Sequence, residues 1–127
     1  GLTPQSIHQL SGPKVQGKNF EAAEKIKADA LALEKAGCFS LVLECVPSSL
    51  SDDISQILKI PTIGIGAGLE TDGQILVLQD LLGMNKNFNP KFLKKFLNGS
   101  ELIANALNSY VTEVNDKQFP LKEHSYE

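Results

Sequence analysis

The order of elements in these 127 residues is that of an α/β protein built on a parallel sheet. Two observations carry this expectation. Short, mostly apolar stretches alternate with longer stretches of helical periodicity, in the order helix, strand, helix, strand, glycine loop, strand, helix, which is the rhythm of βα units. The clearest strand stretch, FSLVLECV at 39–46, is nearly continuous in apolar residues rather than alternating, as suits a strand buried on both faces.

Residues 1–18 contain three glycines and two prolines with little periodicity, so they read as loop, with one short helical turn over 6–10. Asn19 is a candidate N-cap, and Glu21 is well placed against the positive end of the helix dipole. Phe20, Ala23, Ile26, Ala30, Leu31 and Leu33 keep a helical rhythm to Ala36, where Gly37 is a natural stop. After strand 39–46, Pro47 breaks the chain. Residues 48–58 then place Leu50, Ile54, Ile57 and Leu58 on one helical face. Beyond Ile60-Pro61 comes a second strand, 62–65, running into the cluster Gly64-Ile65-Gly66-Ala67-Gly68. A turn at Thr71-Asp72-Gly73 leads to a third strand over 74–78. The remainder reads as helical: a turn near 80–84, a helix over 90–97 with Pro90 at its first position, and a helix over 101–114. The tail KQFPLKEHSYE is polar, pinned through Phe119 and Pro120.

Composition bounds the function classes. A hydrophobic fraction of 42% with 21% charged residues belongs to a globular chain, and no apolar run approaches the ~20 residues of a membrane span. The first residues have neither the basic nor the apolar region of a signal peptide. A net charge of −3 offers no basic face for nucleic acid, and the cluster Lys91, Lys94, Lys95 is offset by the acidic remainder. Cys38 and Cys45 sit seven residues apart, and the span between them reads as one strand, which holds them more than ~20 Å apart, beyond disulfide reach. Reduced, buried thiols and a cytosolic location are therefore expected.

Three strands cannot close a (β/α)8 barrel, which takes eight strands and typically about 250 residues. The chain is therefore either a small open sheet or about half of a barrel.

Among residues that could carry chemistry, Glu44 stands out, at the carboxyl end of the apolar run Leu41-Val42-Leu43. Ligands of open α/β sheets and of barrels bind at that end. Partial desolvation raises the pKa of a carboxylate and suits it to act as a general base. The alternative is a strand-end acid that faces solvent or bonds the next loop. The glycines at 64–68 would let backbone amides approach a phosphate closely. However, the spacing is not the dinucleotide fingerprint, and tight turning beside another strand explains them as well. His8 and His124 have no neighbours at metal-ligand spacing. Asp72 and Asp80 could pair over a metal, but turn formation and helix capping are the simpler roles.

Several motifs together carry a family resemblance: GLTPQS at 1–6, KVQGK at 14–18, DALALEKAG at 29–37, LVLECVP at 41–47, IPTIGIGAG at 60–68, DGQILVLQDLLG at 72–83 and FPLKEHSY at 119–126. In this order, along essentially the whole chain, they resemble the ketopantoate hydroxymethyltransferase family. Ser11 and Pro13 stand where the family usually has a glycine and an aromatic residue, and Gln79 where a histidine is usual.

The resemblance implies the C-terminal half of a (β/α)8 TIM barrel. About three parallel strands with flanking helices and a C-terminal helical segment would span residues 1–127, with the N-terminal βα units absent. It also implies a one-carbon transfer from 5,10-methylenetetrahydrofolate to 3-methyl-2-oxobutanoate, giving 2-dehydropantoate in pantothenate biosynthesis. A Mg²⁺ chelated by the 2-oxo acid would acidify the C3 hydrogen and stabilise the enolate. The family's base, the glutamate of the L-V-L-E-C-V-P motif, falls on Glu44.

The family's magnesium ligands, two aspartates and a glutamate, belong with a substrate-binding lysine and serine to the earlier βα units. Its further histidine precedes the G-L-T-P-Q motif by two residues, so this chain is expected to lack it; His8 is no substitute. The family implies a homodecamer binding a small 2-oxo acid and folate, with the N-terminal half of the same protein as a possible partner. The expectation is a chain inactive by itself, active when the barrel is completed. The competing expectations are a non-catalytic half-barrel serving assembly or binding, and a phosphate-binding half-barrel using Gly64–Gly68.

Overall fold

A computed structural model describes residues 1–9 and 12–126; Leu10, which ends the expected turn at 6–10, and Ser11 lie outside the described residues. The chain forms two compact units, Gly1–Leu76 and Val77–Glu127.

The first unit is the parallel α/β part. After a 3-10 turn at Pro4–Ser6 comes α1, Phe20–Lys35, capped by Asn19, whose Oδ1 accepts the Ala22 N–H at 2.8 Å. Gly37, with φ +97°, ends it in the left-handed conformation that glycine adopts without strain. Next come β1, Leu41–Glu44, then α2, Ser48–Ile57, and β2, Thr62–Ile65. A two-residue β3, Gly73–Gln74, completes a three-stranded parallel sheet in the order β1-β2-β3. The register pairs Leu41 with Thr62 and Glu44 with Ile65, so β1 and β2 end level at their carboxyl edge. Ala30 of α1, Leu43 and Val46 around β1, Leu50, Ile54 and Leu58 around α2, and Ala67 of the glycine loop form the core.

Two polar ties fix the helices over this core. Lys27 Nζ lies 2.6 Å from Asp53, bridging α1 to α2. The Glu34 carboxylate accepts the backbone N–H groups of Lys59 and Ile60, satisfying the chain as it leaves α2 for β2.

The second unit contains α3, Leu78–Leu81, an irregular stretch to Asn98, and α4, Gly99–Asn115. Gly83 and Gly99 are its buried residues. The chain crosses itself there: Phe96 N–H donates to Leu81 O at 2.8 Å and Gly99 N–H to Leu82 O at 2.8 Å. A side chain at either glycine would strike a backbone carbonyl, Leu97 O at Gly83 and Leu82 O at Gly99. The tail is held by Phe119, packed edge-on against Tyr110 at 5.6 Å and tilted against His124 at 5.2 Å.

Several expectations need correction. The strand expected over 39–46 is confined to Leu41–Glu44, and it is buried on one face only: Leu43 is 2% exposed but Val42 53%. The third strand, expected over 74–78, covers Gly73–Gln74, because only Gly73 and Gln74 find ladder partners on β2 and Leu78 already begins α3. No helix forms over 90–97. After a single turn, Leu93 N–H to Pro90 O, the following amides bond to the carbonyls at the end of α3. Asp80 sits inside α3, whose N-cap is Val77. Both cysteines are free and half-buried rather than buried.

Candidate active site

Strand β1 delivers Glu44 to the carboxyl edge of the sheet. The residue before it, Leu43, is locked in the core, so the pleat fixes which way the glutamate leaves the strand. Glu44 is half-buried and closes the β1–β2 ladder opposite Ile65. Its backbone carbonyl accepts the Leu2 N–H at 2.8 Å, which anchors the first residues of the chain to this edge.

The next residue leaves the strand abruptly. Cys45 has φ +49°, a left-handed conformation that costs a residue with a side chain about 1–2 kcal/mol. It persists because both backbone groups are held: its N–H donates to Ile65 O at 3.0 Å, and its carbonyl accepts the Gln16 N–H at 2.8 Å. Burial pushes the Cys45 thiol up, and the neighbouring Glu44 charge adds to the rise. Both causes favour the neutral thiol over the thiolate that would act as a nucleophile. Sequence reasoning missed this turn: nothing in LECVP carries the glycine or asparagine that usually marks one. It also missed the anchoring of residues 2 and 16 at this edge, which no local pattern encodes.

The glycine cluster takes the structural role. Gly66 and Gly68 have φ of +66° and +87°, and Ala67 between them is fully buried, its carbonyl accepting the Ser51 hydroxyl. A Cβ on Gly68 would lie 2.9 Å from Ser48 Cα. The close approach these glycines permit is thus to the start of α2. Gly64 in β2 leaves room for Thr71 and Gln74, and Gln74 Nε2 donates to Gly68 O at 2.8 Å.

Asp72 does more than form a turn. Its carboxylate accepts the Thr62 N–H at 2.7 Å and the Thr62 hydroxyl at 2.9 Å, and these bonds hold its pKa below the usual carboxylate value. Thr62 is fully buried, and Ser55 Oγ lies 2.7 Å from its hydroxyl, so one chain of hydrogen bonds links α2, β2 and the loop before β3. His8 is exposed in the turn after Pro4–Ser6, and His124 Nδ1 accepts the Leu121 N–H within the tail. Among the described residues no three His, Cys, Asp or Glu side chains gather as a metal site. The described residues therefore do not make a complete Mg²⁺ site.

Parallel strands in βα units with a carboxylate at their carboxyl edge place the chain in the α/β class of proteins, whose ligands bind at that edge. Within that class the chain is a member of the ketopantoate hydroxymethyltransferase family, whose model matches residues 1–122. It is 57% identical over 127 residues to a 3-methyl-2-oxobutanoate hydroxymethyltransferase of Francisella tularensis subsp. tularensis (strain SCHU S4 / Schu 4), covering 100% of this chain and 48% of the relative. A relative of the same name from Legionella pneumophila (strain Corby) is 58% identical over 126 residues, again 48% of its length. The chain thus spans about half the length of the curated relatives it matches. Among the described residues no helix is long and apolar enough to cross a membrane.

Proposed function

We propose that residues 1–127 supply the C-terminal half of a single (β/α)8 barrel domain that transfers a hydroxymethyl group to 3-methyl-2-oxobutanoate, with Glu44 as the base. One observation carries the reading: the half-buried carboxylate at the carboxyl edge of β1 is also the glutamate of the family's LVLECVP motif.

The reaction runs as follows. The Glu44 carboxylate takes the C3 proton, leaving the electron pair as an enolate. C3 then bonds to the methylene carbon of 5,10-methylenetetrahydrofolate. One of that carbon's two C–N bonds breaks as C3 bonds to it and the other as water's hydroxyl replaces it, while the two freed nitrogens of tetrahydrofolate take up the proton held by Glu44 and the one released by water. The Mg²⁺ implied by the family would be held by ligands that the described residues do not gather, and the 127 residues alone are inactive. Supplying the N-terminal half, as a partner chain or covalently, restores turnover. The completed enzyme is a cytoplasmic homodecamer, as the family resemblance implies.

The test is a chimera in which this chain replaces the matching 48% of the Francisella tularensis relative. Exchange of the C3 hydrogen of 3-methyl-2-oxobutanoate for deuterium, followed by NMR, reads the proton transfer without folate. Glu44→Gln should lower the exchange rate by about 10²–10⁴-fold, the range that general bases contribute. Retained exchange in that variant would remove the base assignment, as a half-barrel serving only assembly or binding predicts. Turnover by the 127 residues alone would overturn the half-enzyme reading.

A further inference from the structure

We propose that Cys45 is a positioning residue, whose left-handed backbone rather than its thiol holds the Glu44 carboxylate in place at the edge of the sheet. The inference deepens the functional reading and rests on Glu44 being the base.

Three contacts converge on one stretch of backbone. The peptide that joins Glu44 to Cys45 is held at both of its polar groups, Glu44 O by the Leu2 N–H and Cys45 N–H by Ile65 O. The following carbonyl, Cys45 O, is held by the Gln16 N–H. Three separate segments (the first residues of the chain, the segment around Gln16 and the end of β2) therefore specify the backbone at and just after Glu44. The conformation they impose, φ +49°, is one a residue with a side chain avoids unless its surroundings over-determine it. The turn at Cys45 ends the strand at the base and sends the chain to Pro47, the N-cap of α2. Reaction rates fall steeply when a reacting group moves by even 1 Å, so a conformation enforced next to the base bears on the chemistry.

The side chain itself has no proton-accepting part to play. Burial and the Glu44 charge keep the thiol protonated. The proposal therefore separates backbone tolerance from thiol chemistry, and substitutions can be ranked by tolerance of positive φ alone.

The experiment measures kcat and KM for C3 hydrogen exchange in the chimera carrying Cys45→Gly, Cys45→Asn, Cys45→Ala or Cys45→Val, with Glu44→Gln as the reference. Glycine and asparagine adopt the left-handed conformation readily, alanine less so, and valine hardly at all. Gly and Asn variants should keep kcat within about twofold of the parent, Ala should fall a few-fold, and Val about tenfold or more, all with KM nearly unchanged. If the Val variant does not fold, the order of the other three against the parent decides. Loss of exchange in the Gly and Asn variants, or an order that follows side-chain volume, would overturn the proposal. So would a fall confined to KM. If Glu44→Gln keeps full exchange, the base assignment itself fails, which is distinguishable because the Cys45 series would then be measured on a proton transfer that does not use Glu44.

Discussion

The two compact units of this chain have similar apolar content but use it differently. In Gly1–Leu76, apolar side chains become a core: Leu43 and Ile54 are shut away, and Ala30, Val46, Leu50, Leu58 and Ala67 close around them. In Val77–Glu127, Leu102, Leu107, Tyr110 and Val111 of α4 are all more than half exposed, and among the described residues only two glycines are buried. The first unit is held by packed side chains. The second is held by backbone hydrogen bonds at a crossing that only glycines allow, and by the packing of Phe119 on Tyr110 and His124 at its tail. An amphipathic helix is therefore a statement about what the sequence can bury, and only the surroundings decide whether it is buried.

Substitutions can break or sharpen this contrast. Ile54→Ala empties the centre of the first unit and should cost about 2–5 kcal/mol in urea unfolding of the chain. A cost under 1 kcal/mol would mean that the core is not the source of stability. In the second unit the sensitive position is a glycine. Gly83→Ala meets the Leu97 carbonyl from a backbone at φ +65°, and about 1–3 kcal/mol should be lost, seen as faster amide exchange at Phe96 and Gly99. Thr62→Val removes a buried hydroxyl bonded to Ser55 and Asp72, for about 1–2 kcal/mol, while Val keeps the shape and so isolates the polar network.

The same network predicts a pH dependence. The folded-state pKa of Asp72 is lowered by its bonds to Thr62, so its contribution is fully present above the unfolded value near 3.8. The contribution is lost as pH falls through the lower, folded value. Asp72→Asn should therefore flatten the stability profile of the first unit below about pH 4 and lower its Tm at neutral pH. An unchanged acid limb would remove Asp72 from the account. The smallest effect is expected on α4. Leu107→Ala, 60% exposed, should stay within about 0.5 kcal/mol of the parent.

Local signals were legible in the sequence where they govern the structure. Asn19 and Gly37 bracket α1 because a cap and a left-handed stop act within a few residues. Strand 62–65 and the placement of Glu44 at a strand end follow from short apolar runs bounded by breakers. What was not legible depends on partners far along the chain. The helical pattern over 90–97 lost to hydrogen bonds with α3, and the strand over 74–78 stopped where β2 offered no further partners. Asp72 reads as a turn former until Thr62, ten residues earlier, is found beneath it. The left-handed Cys45 has no sequence mark because distant backbone groups impose it.

The ties at Glu44 and Cys45 have a further consequence. Leu2 and Gln16 bond to adjacent carbonyls, so the two ends of the chain between them are pinned side by side. Closing such a loop costs little more when it lengthens, about 0.6 kcal/mol per doubling. A longer chain between the two ties would therefore cost the fold little and leave both of them in place, whereas a cut between them would leave each tie to hold its own end of the chain.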